Sequence, residues 1–287
     1  GEAPGAFRLT PARIAQGSRL QSKRHIERMR EAQTLRFAPD KGLSLDLCDP
    51  AMPARALVLY LHGGGFLKGR RTEPPARLLA QRLVPAGIAV ASADYRLRTP
   101  LSAFSPAHAA AILAAQTRSK SAGLTLAARL CGPEMIAALE DADAALRFLA
   151  RRFTGRPLVV CGVSAGGILG LSLAHPPKGM ALMRPDGVVA ISAAMVQPWR
   201  LTPAGPPAVM LHGHPDRVIG AENPRLALRC AQARGVDLRL VETGTGGHTP
   251  QVAAFFDGTD PKGTPFFQHL NNMIERAIGA RNPGNAS

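Results

Sequence analysis

The chain of 287 residues is short of several things. It holds one tryptophan and two tyrosines, and aromatic residues make up 5% of it, which leaves few flat rings on which single-stranded bases could stack. No run approaches the ~20 uninterrupted apolar residues that a membrane-spanning helix requires, so no membrane span is expected. Its four cysteines, Cys48, Cys131, Cys161 and Cys230, are too far apart for a zinc or redox motif. Cys161 sits in an apolar run and reads as a buried thiol; this cysteine usage fits a reducing, cytoplasmic compartment. Acidic residues are scarce as well, 20 against 35 basic ones, for a net charge of +15. The basic residues are scattered rather than blocked, and no recognition motif accompanies them, so nucleic acid is not an expected partner. The one dense stretch, RLQSKRHIERMR, carries Leu20, Ile26 and Met29 at near-helical spacing and reads as an amphipathic helix in an N-terminal extension covering 8–34.

What the chain does contain is alternation. Apolar residues at 46% suffice for one full core, so residues 1–287 are read as a single domain. TLRFAP and LSLDL, split by DKG, form a short hairpin pattern. Then come the apolar runs ALVLYL (56–61), GIAVASAD (87–94), PLVVCG (157–162), GVVAIS (187–192), PAVMLHG (207–213) and DLRLVE (237–242). Helical patterns fill the gaps: RLLAQRLVPA, PEMIAALEDADAALRFLARR, AGGILGLSLAH, NPRLALRCAQARG and FQHLNNMIERAIG. Strand and helix in alternation predict an α/β fold with a mostly parallel central sheet and helices on both faces. Residues 101–132 break the rhythm. Rich in alanine and serine, without a strand pattern, they read as a small helical cap insertion. Leu101, Phe104, Ile112, Leu113, Leu124, Leu126 and Leu130 make that segment too apolar for a free loop, which is why it is expected to cover a site.

CGVSAGG (161–167) places Ser164 between glycines, after a strand and before a helix. The pattern G-x-S-x-G is short enough to arise by chance, but strand–turn–helix is the context of a nucleophile elbow. A serine hydroxyl needs a base to take its proton, and in this architecture an acid and then a histidine follow along the chain. Asp216 lies just beyond PAVMLHG and His248 just beyond DLRLVE, both past the carboxyl ends of strands where such sheets assemble sites. Asp186, Asp237 and Glu242 precede, begin or lie inside strands. His212 and His214 come before the acid, and His269 falls within a helix. Ser164, Asp216 and His248 are therefore the candidate catalytic residues, with Glu222 the next candidate acid. A second glycine run, HGGGF (62–66), follows ALVLYL. The N–H groups of Gly64 and Gly65, with that of Ala165 at the helix start, are the candidate oxyanion donors, while His62 reads as a residue that holds the loop. Phe66 and Val163 are candidate pocket residues. Lys68, Arg70 and Arg71 follow the loop directly and, if they rim the entrance, would favour acidic esters.

HGGGF, DYRL (94–97), GVSAGG, the helix pattern before the elbow strand, Asp216 and His248 together resemble the hormone-sensitive-lipase-like esterases of the α/β-hydrolase superfamily, over roughly residues 35–280. The resemblance implies an α/β-hydrolase fold and a serine carboxylesterase. It would hydrolyse small to medium acyl esters through an acyl-enzyme, with a small-molecule ester as substrate and no cofactor. Ser164 is then nucleophile, His248 base and acid, and Asp216 its orienter, while Asp94 and Tyr95 fix a loop. A deacetylase, formamidase or peptidase with the same three residues, or a non-catalytic ligand-binding protein of this fold, are the alternatives, and a homo-oligomer is left open. The chain departs from the pattern at three places. Many members have Asp where Val163 stands, many continue DYRL with an APE segment, and the interval from Ser164 to Asp216 is too short for the cap many relatives carry there. These departures bear on substrate rather than on the reaction.

Overall fold

The computed structural model describes residues 32–244 and 246–281. Eight strands among them form one sheet: β1 (Gln33–Ala38), β2 (Leu43–Cys48), β3 (Ala56–Leu61), β4 (Ile88–Ala93), β5 (Leu158–Val163), β6 (Gly187–Ile191), β7 (Ala208–Gly213) and β8 (Leu238–Thr243), in the spatial order β1-β2-β4-β3-β5-β6-β7-β8. β1 and β2 form the antiparallel hairpin read from TLRFAP and LSLDL, and β2 is antiparallel to β4. From β4 through β8 every pairing is parallel. β3 to β7 are buried at every position, which is why their sequences are unbroken apolar runs rather than alternating ones.

Seven helices occur among the described residues, six of them against the sheet: α1 (Pro74–Leu83), α2 (Pro106–Ser121, in the insertion), α3 (Pro133–Arg152), α4 (Ala165–Ala174), α5 (Glu222–Gln232), α6 (Pro250–Asp257) and α7 (Phe266–Arg281). Successive strand residues point to opposite faces, and the core divides accordingly. Leu57, Leu59 and Leu61 of β3 pack with α3, α4 and α5. Ala56, Val58 and Tyr60 pack with α1, α6 and α7. Apart from the N-terminal extension and the insertion, the five helices anticipated are all present. α6 was not anticipated; eight residues are too few to show a helical period.

Of the N-terminal extension expected at 8–34, residues 8–31 lie outside the described residues. Its end needs correction: Gln33 and Thr34 open β1, paired with Leu47 and Asp46, and the Thr34 hydroxyl donates to Asp46 Oδ1 at 2.7 Å. Edge pairing decides the state of these two residues, and a helical period cannot register it.

The insertion runs along the carboxyl edge of the sheet. After a short turn at Leu101–Ala103 comes α2, capped by Ser105, whose Oγ accepts from the His108 N–H. A further turn, Ala128–Cys131, leads into α3. Hydrogen bonds tie the segment to the loops after β3 and β6 and to the first turn of α5, which follows β7. Ser119 Oγ donates to Val196 O at 2.8 Å, the Thr125 N–H to Asn223 Oδ1 at 2.9 Å, and Arg129 Nε to Gly65 O at 3.1 Å. The Arg118 guanidinium stacks 4.5 Å over the Trp199 ring. The β6–β7 connection holds only a single turn, Pro198–Arg200, so no second covering segment arises there.

One buried histidine gives the fold a pH dependence. His175, just past α4, accepts the Thr202 N–H at Nδ1, and its Nε2 is buried with no partner. Burial, aided by the charge of Arg184, lowers its pKa to about 4. The folded state thus favours neutral imidazole, and its stability is full above the ordinary value near 6.5 and falls as pH drops toward 4. That difference is worth about 3 kcal/mol. In denaturant titrations between pH 7 and pH 4, His175→Gln, which keeps an acceptor for Thr202, is expected to lose about 3 kcal/mol less than the parent. An identical pH slope in both proteins would show that His175 is not held neutral.

Candidate active site

Ser164 stands between β5 and α4 with φ 52° and ψ −114°, a backbone conformation that costs a non-glycine residue about 1–3 kcal/mol and persists only where the surroundings enforce it. Here they do. The Ser164 N–H donates to Ile191 O at 2.8 Å, and Ser164 O accepts the Ile168 N–H at 3.0 Å. The flanking glycines follow from close approach. A Cβ on Gly166 would lie 2.0 Å from Leu61 O and 2.6 Å from His62 O, and one on Gly162 would lie 2.2 Å from Gly166 O. Only a hydrogen at those positions lets the start of α4 press against the end of β3, and the serine is lifted to the tip of the turn.

The structure brings Ser164, His248 and Asp216 into one hydrogen-bonded row. His248 Nε2 is 2.8 Å from Ser164 Oγ, and His248 Nδ1 is 2.7 Å from Asp216 Oδ2. The carboxylate can only accept, so Nδ1 carries the proton and Nε2 faces the serine hydroxyl as acceptor. The other oxygen of Asp216 is occupied by the N–H groups of Val218 (2.8 Å) and Ile219 (2.9 Å). Burial alone would raise the pKa of this carboxyl. The hydrogen bonds from His248, Ile219 and Val218 outweigh it and hold the group below its ordinary value, so Asp216 is ionised at neutral pH. His212 lies beneath, its Nε2 3.8 Å from Asp216 Oδ2 and 2.9 Å from Ile219 O. Burial lowers its pKa and keeps it neutral, so it braces the turn that holds Asp216 without competing for the charge.

The HGGGF loop turns beside the elbow. A Cβ on Gly63 would lie 3.6 Å from that of Ser164. Gly64 and Gly65 have φ of 110° and 62°, and a Cβ on Gly64 would overlap Lys68 O at 2.0 Å. The loop's carbonyls are drawn outward. Tyr95 Oη donates to His62 O at 2.7 Å, the Arg98 N–H to Phe66 O at 2.9 Å, Arg98 Nε to Leu67 O at 3.0 Å, and Arg129 Nε to Gly65 O. Among the described residues no acceptor meets the N–H groups of Gly64, Gly65 or Ala165. His62 stacks on Tyr95 with ring centroids 4.1 Å apart, in keeping with a loop-holding role. Asp94 accepts from Arg71, at its backbone N–H (2.9 Å) and at Nη1 (2.6 Å).

Two sequence expectations need correction. Phe66 does not line a pocket: it is fully buried, edge-on to Tyr95, within the core under α3 and α4, because its φ of 62° turns the side chain inward. Arg71 is not a free rim cation, since its guanidinium is paired with Asp46 and Asp94. Val163 packs beneath Gly63, within the core of the other face. Two contacts escaped the sequence reading altogether. Ser192, another residue at positive φ, donates its hydroxyl to His248 O at 3.0 Å; its place just past an apolar strand was the available signal. Arg129 on Gly65 O had none, because the two are 64 positions apart. Among the described residues no three His, Cys, Asp or Glu side chains converge to hold a metal ion, and no helix is long and apolar enough to cross a membrane.

Comparison with known proteins agrees with this architecture. An esterase from the planctomycete Thermogutta terrifontis, solved with butyrate bound, superposes with a TM-score of 0.60 over 87% of this chain and 94% of its own, at 15% identity. Esterase 2 of Thermogutta terrifontis phosphonylated by cyclosarin gives 0.58 over 88% and 94%, at 16% identity. At such identities the likeness is one of fold. No curated protein matches the sequence. A model of the α/β-hydrolase fold matches residues 58–208, from β3 through the elbow to the start of β7, and the chain therefore belongs to the α/β-hydrolase family.

Proposed function

We propose that the protein is a serine carboxylesterase acting on small to medium acyl esters. The observation that carries this reading is the Ser164–His248–Asp216 row beside three N–H groups without acceptors. Ser164 Oγ attacks the ester carbonyl while His248 Nε2 takes its proton. The carbonyl oxygen, now an anion, sits against the N–H groups of Gly64, Gly65 and Ala165, each worth ~3–4 kcal/mol in the transition state. His248 then protonates the departing alcohol. Water, activated by the same imidazole, cleaves the acyl-enzyme and restores Ser164. Every step uses protein groups and water.

In the same reading, segment 101–132 is the cover of the site. It is bound to the loops after β3 and β6 and to the first turn of α5, and exclusion of water strengthens every electrostatic interaction beneath it. The similar Thermogutta terrifontis esterases, one holding butyrate and one phosphonylated, support a short acyl chain and a reactive serine here.

The test combines turnover with labelling. On an acetyl, butyryl and octanoyl ester panel the protein is expected to hydrolyse the shorter members. A fluorophosphonate is expected to leave its adduct on the peptide carrying Ser164, located by mass spectrometry. Turnover of none of the three esters, or an adduct elsewhere, would overturn the reading.

A further inference from the structure

Arg129 is a cation in direct contact with the oxyanion loop. It comes from the turn Ala128–Cys131, and its Nε donates to Gly65 O at 3.1 Å. Its guanidinium lies against Gly65, where a Cβ would be 3.3 Å from Nε and 3.4 Å from Nη2. Gly65 is two residues beyond the glycine that touches Ser164 and is itself one of the candidate oxyanion donors. Among the described residues neither Nη of Arg129 has a hydrogen-bond partner, and no carboxylate lies within ion-pair distance. The residue is half-buried.

The contrast with other arginines on this edge is informative. Arg71 holds its loop through Asp46 and Asp94, and Arg96 through Asp141 and Glu140; both of these guanidinium groups have acids to neutralise them. Arg129 has none. Residues 101–132 contain Arg118, Lys120 and Arg129 but no aspartate or glutamate. Among the described residues Lys68, Arg70, Arg98 and Arg217, on loops at the same edge, also have no ion-pair partner. Nearby acids are engaged otherwise: Asp216 by His248, Glu222 by Thr125 and Asn223, Glu242 by Arg225. Glu73 and Glu134 have no ion-pair partner among the described residues, but they sit at the N-termini of α1 and α3, where the helix dipole stabilises a carboxylate.

A half-desolvated guanidinium with two open Nη groups presents the planar fork that fits a carboxylate. We propose that the site selects esters that carry a carboxylate, and that Arg129 receives it. The proposal rests on the esterase reading and names its substrate class. Gly65 carries both a candidate oxyanion donor, its N–H, and the carbonyl that Arg129 Nε holds, so the guanidinium stands one residue's breadth from an ester bound on that N–H and is the nearest identified partner for a carboxylate on such an ester. The surrounding unpaired cations add long-range attraction that salt weakens.

Two matched pairs test it and separate the acyl from the alcohol side. They are methyl hexanoate against monomethyl adipate, and phenyl acetate against 4-acetoxybenzoate. In the parent protein at low salt, the charged member of at least one pair is expected to have the higher kcat/KM, by roughly tenfold or more, with the gain in KM. The ratio within that pair is expected to fall roughly tenfold in Arg129→Gln, to fall less in Arg129→Lys, and to shrink at high salt. Using the ratio removes any loss common to both members from loosening of Gly65. An equal ratio in parent and Arg129→Gln, or no preference for either charged ester, overturns the proposal. Hydrolysis of the neutral members by the parent in that case leaves the esterase reading standing; if no ester is turned over and Ser164 takes no phosphonate, the esterase reading itself fails.

Discussion

Replacing Ser164 with alanine is expected to lower kcat for ester hydrolysis by about 10⁶-fold and to abolish fluorophosphonate labelling, while the melting temperature stays near that of the parent. The large effect follows from the row of hydrogen bonds. In the proposed reaction Oγ is the atom that attacks and the atom whose proton His248 Nε2, 2.8 Å away, must accept, so its removal leaves base and acid with nothing to activate. Some acceleration over water remains, because the loop N–H groups and the binding surface are untouched. Stability should hardly change. The strain at φ 52° is the same for alanine as for serine. The contacts that enforce it, Ser164 N to Ile191 O and Ile168 N to Ser164 O, run through the backbone. Steady-state kinetics and thermal denaturation on the same preparation check both halves. Activity within about tenfold of the parent would mean that another group is the nucleophile.

Much of this arrangement was legible because it is encoded locally. A strand buried on both faces must be an unbroken apolar run, and β3 to β7 are such runs. The elbow glycines are visible because a Cβ at 162 or 166 has no room, so the pattern G-x-S-x-G records a steric demand. The order of serine, acid and histidine follows from strands that all deliver their loops to one edge. What stayed hidden depends on residues far apart in the chain. Arg129 reaches Gly65 across 64 positions and Thr125 reaches Asn223 across 98, and no periodicity reports such pairings. Phe66 looked like a pocket residue from its place in HGGGF; its positive φ, which turns it into the core, is set by the loop and not by its neighbours in sequence. Arg71 looked like a rim cation until Asp46, on β2, was found beside it.

Asp216→Asn is expected to lower kcat by about 10⁴-fold with little change in KM, and the direction of the amide decides it. One carboxylate oxygen of Asp216 accepts two backbone N–H groups, from Val218 and Ile219; the other accepts from His248 Nδ1. An asparagine must keep its carbonyl oxygen toward the two N–H groups, since turning its NH₂ to them would leave both donors without an acceptor, and the buried Ile219 N–H alone would cost about 1–3 kcal/mol. Its NH₂ therefore faces His248, Nδ1 is forced to accept, and the imidazole proton moves to Nε2. That nitrogen then meets Ser164 with a hydrogen instead of a lone pair and cannot take the hydroxyl proton. The geometry survives while the tautomer is wrong, so the loss belongs in kcat and the fold should remain. Glu222→Gln is the informative contrast. That carboxylate is bound by Thr125 and by Asn223 Nδ2, not by His248, so its loss disturbs the tie to the covering segment but leaves the tautomer alone. Full activity in Asp216→Asn together with a collapse in Glu222→Gln would reverse the two assignments.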